Sequence, residues 1–238
     1  MDVGEYLPVL QKTNARFDEA AAEALLAHGW RAHVPGCPGW TLADLVRHLA
    51  EVQHFWAWVL RTRAMSPAEY PEPPRHPEDE LLGWLAAQHA ELETALAGAV
   101  PTDPVWTWAP QRDVAFVLRR QVQEAVVHTV DVEQVLGDVR PIPARVGLDG
   151  LDEWLEVMVP GALPDGPPGS AHPVVFHAID AGAERTLFPG TRPFPIAALT
   201  GTAGDLLLTV WRRVPLEVLT VDGDGLQAVA MIDLIAGE

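Results

Sequence analysis

The chain is short of several things that proteins of its length, 238 residues, commonly carry, and each shortage removes a class of function. It has one cysteine, Cys37, so no internal disulfide and no cysteine-rich zinc module can form. Any metal must be held by histidines and carboxylates. Basic residues are scarce, 16 against 33 acidic ones, and the formal net charge of −17 repels phosphate backbones and anionic lipid surfaces. Nucleic acid and membranes are therefore not expected as partners. Lysine and asparagine occur once each, as Lys12 and Asn14, which reads as GC-rich codon usage rather than as a physical demand. No apolar run approaches the ~20 residues of a membrane span. The first residues carry Asp2 and Glu5 where a secretory signal needs basic residues before an apolar stretch, so a cytoplasmic location is expected.

What the chain does have is helical periodicity over its first two thirds. Leu7, Leu10, Phe17, Ala21 and Leu25 predict a helix over 1–29, with Asn14 as a point where it could break. A Pro/Gly-rich loop over 33–40 stops it, and Thr41 with Asp44 reads as a capping box opening a second helix to about Arg63. Residues 67–77 form a proline-rich linker. Leu81, Leu85, Leu92 and Leu96 predict a third helix over 78–97, and a fourth follows over 113–136. Between them, Trp106 and Trp108 sit in a proline-bounded loop whose indoles cover a core or a pocket. Four such helices are the material of a bundle.

Composition changes after Gly137, with Pro141 and Pro143 as a boundary and a bridging helix over 148–159. A Gly/Pro-rich loop then leads to strands over 174–179, 186–188 and 217–221 and to short helices over 206–211 and 226–235. The fold class is thus α plus α+β: a four-helix bundle over 1–140 followed by a small α+β domain over 148–238.

Helical spacing concentrates chemistry on the fourth helix, where Arg120, Glu124 and His128 follow at i, i+4, i+8. Each four-residue step drifts about 40° at roughly 100° per residue, so Glu124 and His128 share a face, with Asp131 about 60° further back. On the second helix His48 shares a face with Asp44 and Glu51, among Leu45, Val46, Leu49 and Val52. His48, Glu124 and His128 would make a His₂Glu metal set with open positions. Two plainer readings stay open: a hydrogen-bonded Glu-His pair, and a core histidine at His48. His54 lies about 240° around the helix from His48, so it does not join. His76, His89, His172 and His177 have no ligand spacing. Cys37 precedes a helix N-terminus, where a thiol pKa can fall, but no histidine or basic residue is tied to it by local spacing and a small apolar filler is the better reading. Phe55, Trp56 and Trp58 read as core rather than as a ligand cage. Arg212 and Arg213 end a short helix, either as cations at its C-terminus or as a planar fork for a carboxylate.

These residues fall within a larger pattern. The run from Val34 to Leu49, with Pro35-Gly36-Cys37-Pro38-Gly39-Trp40 and then Asp44 and His48, resembles the signature of the mycothiol-dependent maleylpyruvate isomerase family. Arg119 to Asp131 is similar to its second motif, although Gln123 stands where a second histidine is common at a non-ligand position. Gly201 to Leu208 with Trp211-Arg212-Arg213 resembles its C-terminal domain.

That resemblance implies a DinB-like four-helix domain and an α+β C-terminal domain. It also implies a divalent metal, usually zinc, on His48, Glu124 and His128, and a catalytic arginine at Arg213. Mycothiol is the implied thiol cosubstrate: the metal lowers the pKa of its sulfur, and the thiolate adds to a small electrophile. The outcome is cis-trans isomerisation of the maleylpyruvate type or S-transfer. Two other classes remain as alternatives, a non-catalytic small-ligand-binding protein and a metal hydrolase using bound water. Monomer and homodimer are both compatible with the sequence.

Overall fold

Periodicity and caps dictate the first part of the chain. In a computed structural model describing residues 1–235, α1 spans Val3–His28, α2 Leu42–Thr62, α3 Leu81–Ala97 and α4 Val114–Leu136. Helix α1 runs unbroken through Asn14, which is buried and donates to Glu93 Oε1 at 2.8 Å, so a residue that breaks exposed helices is held here by a partner on α3. The cap of α2 is reciprocal: Asp44 N donates to Thr41 Oγ1 at 3.3 Å, and Thr41 N donates to Asp44 Oδ2 at 3.0 Å. Phe116 N donates to Asp113 Oδ1 at 3.0 Å to open α4, and Gly137, at φ 73°, closes it.

Helix α1 packs against α4 and α3, and α2 against α3 and α4. Phe17, Leu42, Leu45, Leu49, Leu81 and Leu85 are fully buried in this core, each worth roughly 1.5–3 kcal/mol of burial. The loop before α2 lies tight on α4, because a Cβ at Gly36 would collide with the Asp131 carboxylate. Only glycine lets that backbone approach.

The chain divides into two compact units at Arg140 and Pro141. In the second, α5 (Ala144–Glu153) continues through a π-helical turn (Trp154–Met158) into α6 (Val159–Ala162). The helix starts four residues ahead of the expected 148, since Pro143 presets its entry and Val146 is already buried. Strands β1 (Val174–Ala178), β2 (Ala183–Leu187), β3 (Ala197–Gly201) and β4 (Thr220–Gly223) form one sheet in the order β2-β1-β3-β4. The β1–β2 and β3–β4 pairs are antiparallel, and β1–β3 is parallel, with Val174 opposite both Leu187 and Ala197.

Helix α7 (Ala203–Val210) packs on β1 and β3, α8 (Gly225–Asp233) on β3, and α5 on α7. A Cβ on Gly147 of α5 would lie 2.6 Å from Gly204 N, so the two helices cross at backbone distance. The sequence pattern does not show β3, and it places α7 three residues late because Thr202 is its cap, accepting from Asp205 N at 3.1 Å. Residues 236–238, the end of the expected 148–238 domain, lie outside the described ones. The fold is a helical N-terminal unit followed by a small mixed sheet with helices. Among the described residues, no helix is long and apolar enough to cross a membrane.

Candidate metal centre

Helices α2 and α4 bring His48 to the Glu124–His128 pair. His48 Nε2 lies 3.0 Å from Glu124 Oε1, and His128 Nε2 lies 3.3 Å from the same oxygen. The three donor atoms are all within 4.8 Å of one another, a convergence that could hold a divalent ion. The set is oriented from outside. Arg120 Nη2 donates to Glu124 Oε2 at 2.8 Å, which leaves Oε1 as the oxygen turned to the imidazoles. Asp131 Oδ2 lies 2.8 Å from His128 Nδ1, a carboxylate contact that fixes the ring and turns Nε2 toward Glu124. Sequence spacing placed Asp131 near this face but missed its role; a histidine followed by an aspartate at i+3 on one helix is the signal that could have found it.

Electrostatics match the geometry. Burial opposes the charged form of Glu124, but hydrogen bonds from His128 and His48 and the nearby Arg120 guanidinium outweigh it and hold the carboxyl well below the ordinary range. Burial likewise opposes a charged His128, and hydrogen bonds with Asp131, Cys37 and Glu124 raise it well above the usual value. Two imidazoles converge on one carboxylate oxygen in a half-buried place where positive charge is favoured. Trp40 walls the set, its ring stacked on His128 at 6.2 Å and tilted on His48 at 4.9 Å.

The other singled-out residues separate. Cys37 is buried and its Sγ donates to Asp131 Oδ2 at 3.3 Å, so it packs behind His128, and with His128 and Asp131 it forms a second group that could hold a metal. His54 stays apart, its Nδ1 2.7 Å from the Tyr70 hydroxyl. His76, His89, His172 and His177 join no metal-capable group among the described residues. Arg213 belongs to the second unit, just after α7, where its Nη1 donates to the Trp211 carbonyl at 2.8 Å. Arg212 turns away into the left-handed region at φ 59° and pairs with Asp233.

A cavity of about 540 Å³ opens beside His48. Phe55 and Trp56 line it, so these two are more than the core residues the sequence implies, whereas Trp58 is buried without lining it. Trp106 and Trp108 complete the aromatic wall, and the proline-rich linker contributes Tyr70 and Glu72. Nothing in the spacing of that linker marks either residue.

A helical domain with a His-Glu-His donor set, followed in the chain by a small α+β domain, defines a class of two-part proteins with a DinB-like, metal-capable first domain. Within it, residues 11–133 match the family model described as mycothiol maleylpyruvate isomerase N-terminal domain, and residues 145–230 match that of the MDMPI C-terminal domain. The chain belongs to this family. Two crystal structures share its fold, one of mycothiol-dependent maleylpyruvate isomerase and one of a histidine-to-alanine mutant of that enzyme. Each is 14% identical with a TM-score of 0.69, covering 93% of this chain and 93% of its own. No curated protein matches the chain.

Proposed function

We propose that this chain is a metal-dependent enzyme that adds a low-molecular-weight thiol, mycothiol, to a small electrophile, with His48, Glu124 and His128 holding the ion. The observation that carries the reading is the convergence of three donor atoms within 4.8 Å, with Asp131 on the far nitrogen of His128. Zinc suits this mixture of nitrogen and oxygen donors. When bound, the ion supplies a lowered thiol pKa, and so a thiolate near neutral pH. The chain's own residues do the positioning. Asp131 fixes the orientation of His128, Arg120 holds Glu124 by one oxygen, and Trp40 covers both imidazoles. The lone thiol of the protein, Cys37, is buried and bonded to Asp131, which favours a reacting thiol that arrives with the cosubstrate. Addition followed by rotation and elimination isomerises a cis double bond; addition that stops at the adduct is S-transfer. Arg213 is assigned the catalytic arginine on the family resemblance of its segment, its guanidinium suited to negative charge that develops on the electrophile.

The test is metal analysis joined to a thiol assay. The full chain dialysed against zinc should retain about one ion, and His48→Ala should lose it under the same dialysis. Only the loaded protein should isomerise maleylpyruvate with mycothiol present and regenerated, or consume mycothiol with a general electrophile, and Arg213→Ala should lower kcat. Full metal retention by His48→Ala, or neither mycothiol-dependent isomerisation nor thiol consumption with any electrophile, sinks the reading.

A further inference from the structure

The cavity beside His48 has a charge pattern that a dicarboxylate does not fit. Its walls are aromatic: Phe55 meets Trp106 edge to face at 5.7 Å and 87°, and Trp56 stacks on Trp106 at 6.1 Å and 28°. Such surfaces accept a planar ring by stacking and attract cations through the ring faces. Its charged groups are Glu51 and Glu72, and among the described residues that line it none is lysine or arginine. Burial and then the fields of these two carboxylates push the Tyr70 hydroxyl up to about 12, so Tyr70 presents a neutral phenol.

The centre next door does not compensate them. Within the helical unit, a divalent ion bound as proposed and Arg120 would formally cancel Glu124, Asp131 and an incoming thiolate, Arg213 belonging to the second unit. Glu51 and Glu72 are left over, and a substrate with carboxylates of its own would meet like charge.

We propose that this cavity takes the electrophile and that Glu51 and Glu72 select one without negative charge, a planar aromatic electrophile that is neutral or cationic. The assignment of the cavity to the electrophile rests on the metal–thiol reading above. Glu51 and Glu72 are specificity residues here, excluding anions while the indoles bind the ring. Two carboxylates at cavity range, partly screened by water, disfavour an anion over its neutral isostere by about tenfold.

Quenching of tryptophan fluorescence tests this on the full chain dialysed against zinc, with a matched pair of probes. One is 4-nitrophenyl methyl sulfone, which is neutral, and the other is 4-nitrobenzenesulfonate, an anion of nearly the same shape; neither is a strong zinc ligand. The sulfone should bind about tenfold more tightly at low salt, and the gap should narrow as salt is added. In the Glu51→Gln, Glu72→Gln double variant the two probes should bind within about twofold of each other, with zinc content unchanged. Equal or tighter binding of the sulfonate, no binding of the sulfone, or a preference that persists in the double variant overturns the proposal. The same proteins are assayed for mycothiol consumption. A preference erased in the double variant without any turnover removes the enzyme reading and leaves charge selection standing, whereas turnover without a preference removes charge selection alone.

Discussion

The helical unit buries two histidines almost equally, His128 at 7% exposure and His89 at 5%, yet they do opposite things. His89 belongs to a seam in which donors and acceptors alternate: its Nδ1 lies 2.6 Å from Gln53 Oε1, Gln53 Nε2 donates to Asn14 Oδ1 at 3.1 Å, and Asn14 Nδ2 donates to Glu93 Oε1 at 2.8 Å. Its other nitrogen lies 3.2 Å from Asp18 Oδ1. Each bond in that seam joins a separate pair, and the approach of Asp18 to Nε2 lacks hydrogen-bond geometry, so the chain of bonds ties α1, α2 and α3 together and has no focus. At His128 one nitrogen is taken by Asp131, while the other converges with His48 on a single carboxylate oxygen. Burial alone does not tell the two histidines apart. Convergence of side-chain atoms does.

The largest expected effect comes from blurring that distinction at its outer support. Asp131→Ala removes the partner that fixes the His128 ring, and metal affinity should fall roughly 10–100-fold. Competition with a chelator of known affinity measures it. Asp131→Asn keeps an acceptor oxygen and should recover part of the loss. If Asp131→Ala binds metal as the wild type does, ring orientation is not what separates the two histidines.

The seam should respond in the other currency. Gln53→Leu leaves His89 Nδ1 and Asn14 Oδ1 without their partner inside the bundle, and should cost about 1–3 kcal/mol in urea unfolding. Its metal affinity should equal that of the wild type. A drop in affinity would mean that the two clusters are coupled through α2, and the contrast between them would not hold.

Much of this was legible in the sequence, for reasons that differ by region. The four long helices were readable because their apolar stripes repeat at helical period and the Thr41–Asp44 capping box is a local signal. The donor set was readable because Glu124 and His128 share one helix, and His48 sits in a recognisable motif. The cavity was not, since Tyr70 and Glu72 lie in an irregular linker with no period to mark which side chains turn inward. Strand β3 was invisible for another reason. Ala197-Ala198-Leu199-Thr200-Gly201 has little β-propensity of its own and is a strand because it lies between β1 and β4, with Ala197 and Leu199 buried. Asp131 was seen only as a neighbour on a face, because which carboxylate holds a ring nitrogen depends on rotamers that spacing does not encode.

The smallest effect sharpens the contrast on α4 itself, where a second glutamate, buried where Glu124 is half-buried, is saturated rather than convergent. Glu133 Oε1 accepts from Arg16 Nε at 2.7 Å and from Arg140 Nε at 2.6 Å, and its Oε2 accepts from Arg140 N at 3.0 Å. Burial works against its charge, but the bonds from Arg16 and Arg140 prevail and lower its pKa from the usual 4.5. A carboxyl lowered on folding contributes its full stability above the unfolded value, and that contribution fades as pH falls through the folded one. Glu133→Gln should therefore destabilise the protein by on the order of 1 kcal/mol near neutral pH, and urea midpoints of variant and wild type should draw together below about pH 4.5. Metal affinity should not change, because no histidine shares the oxygens of Glu133. A gap that stays constant with pH would assign the effect to shape rather than charge, and Glu133 would then be a packing residue and not the charge-saturated counterpart of Glu124.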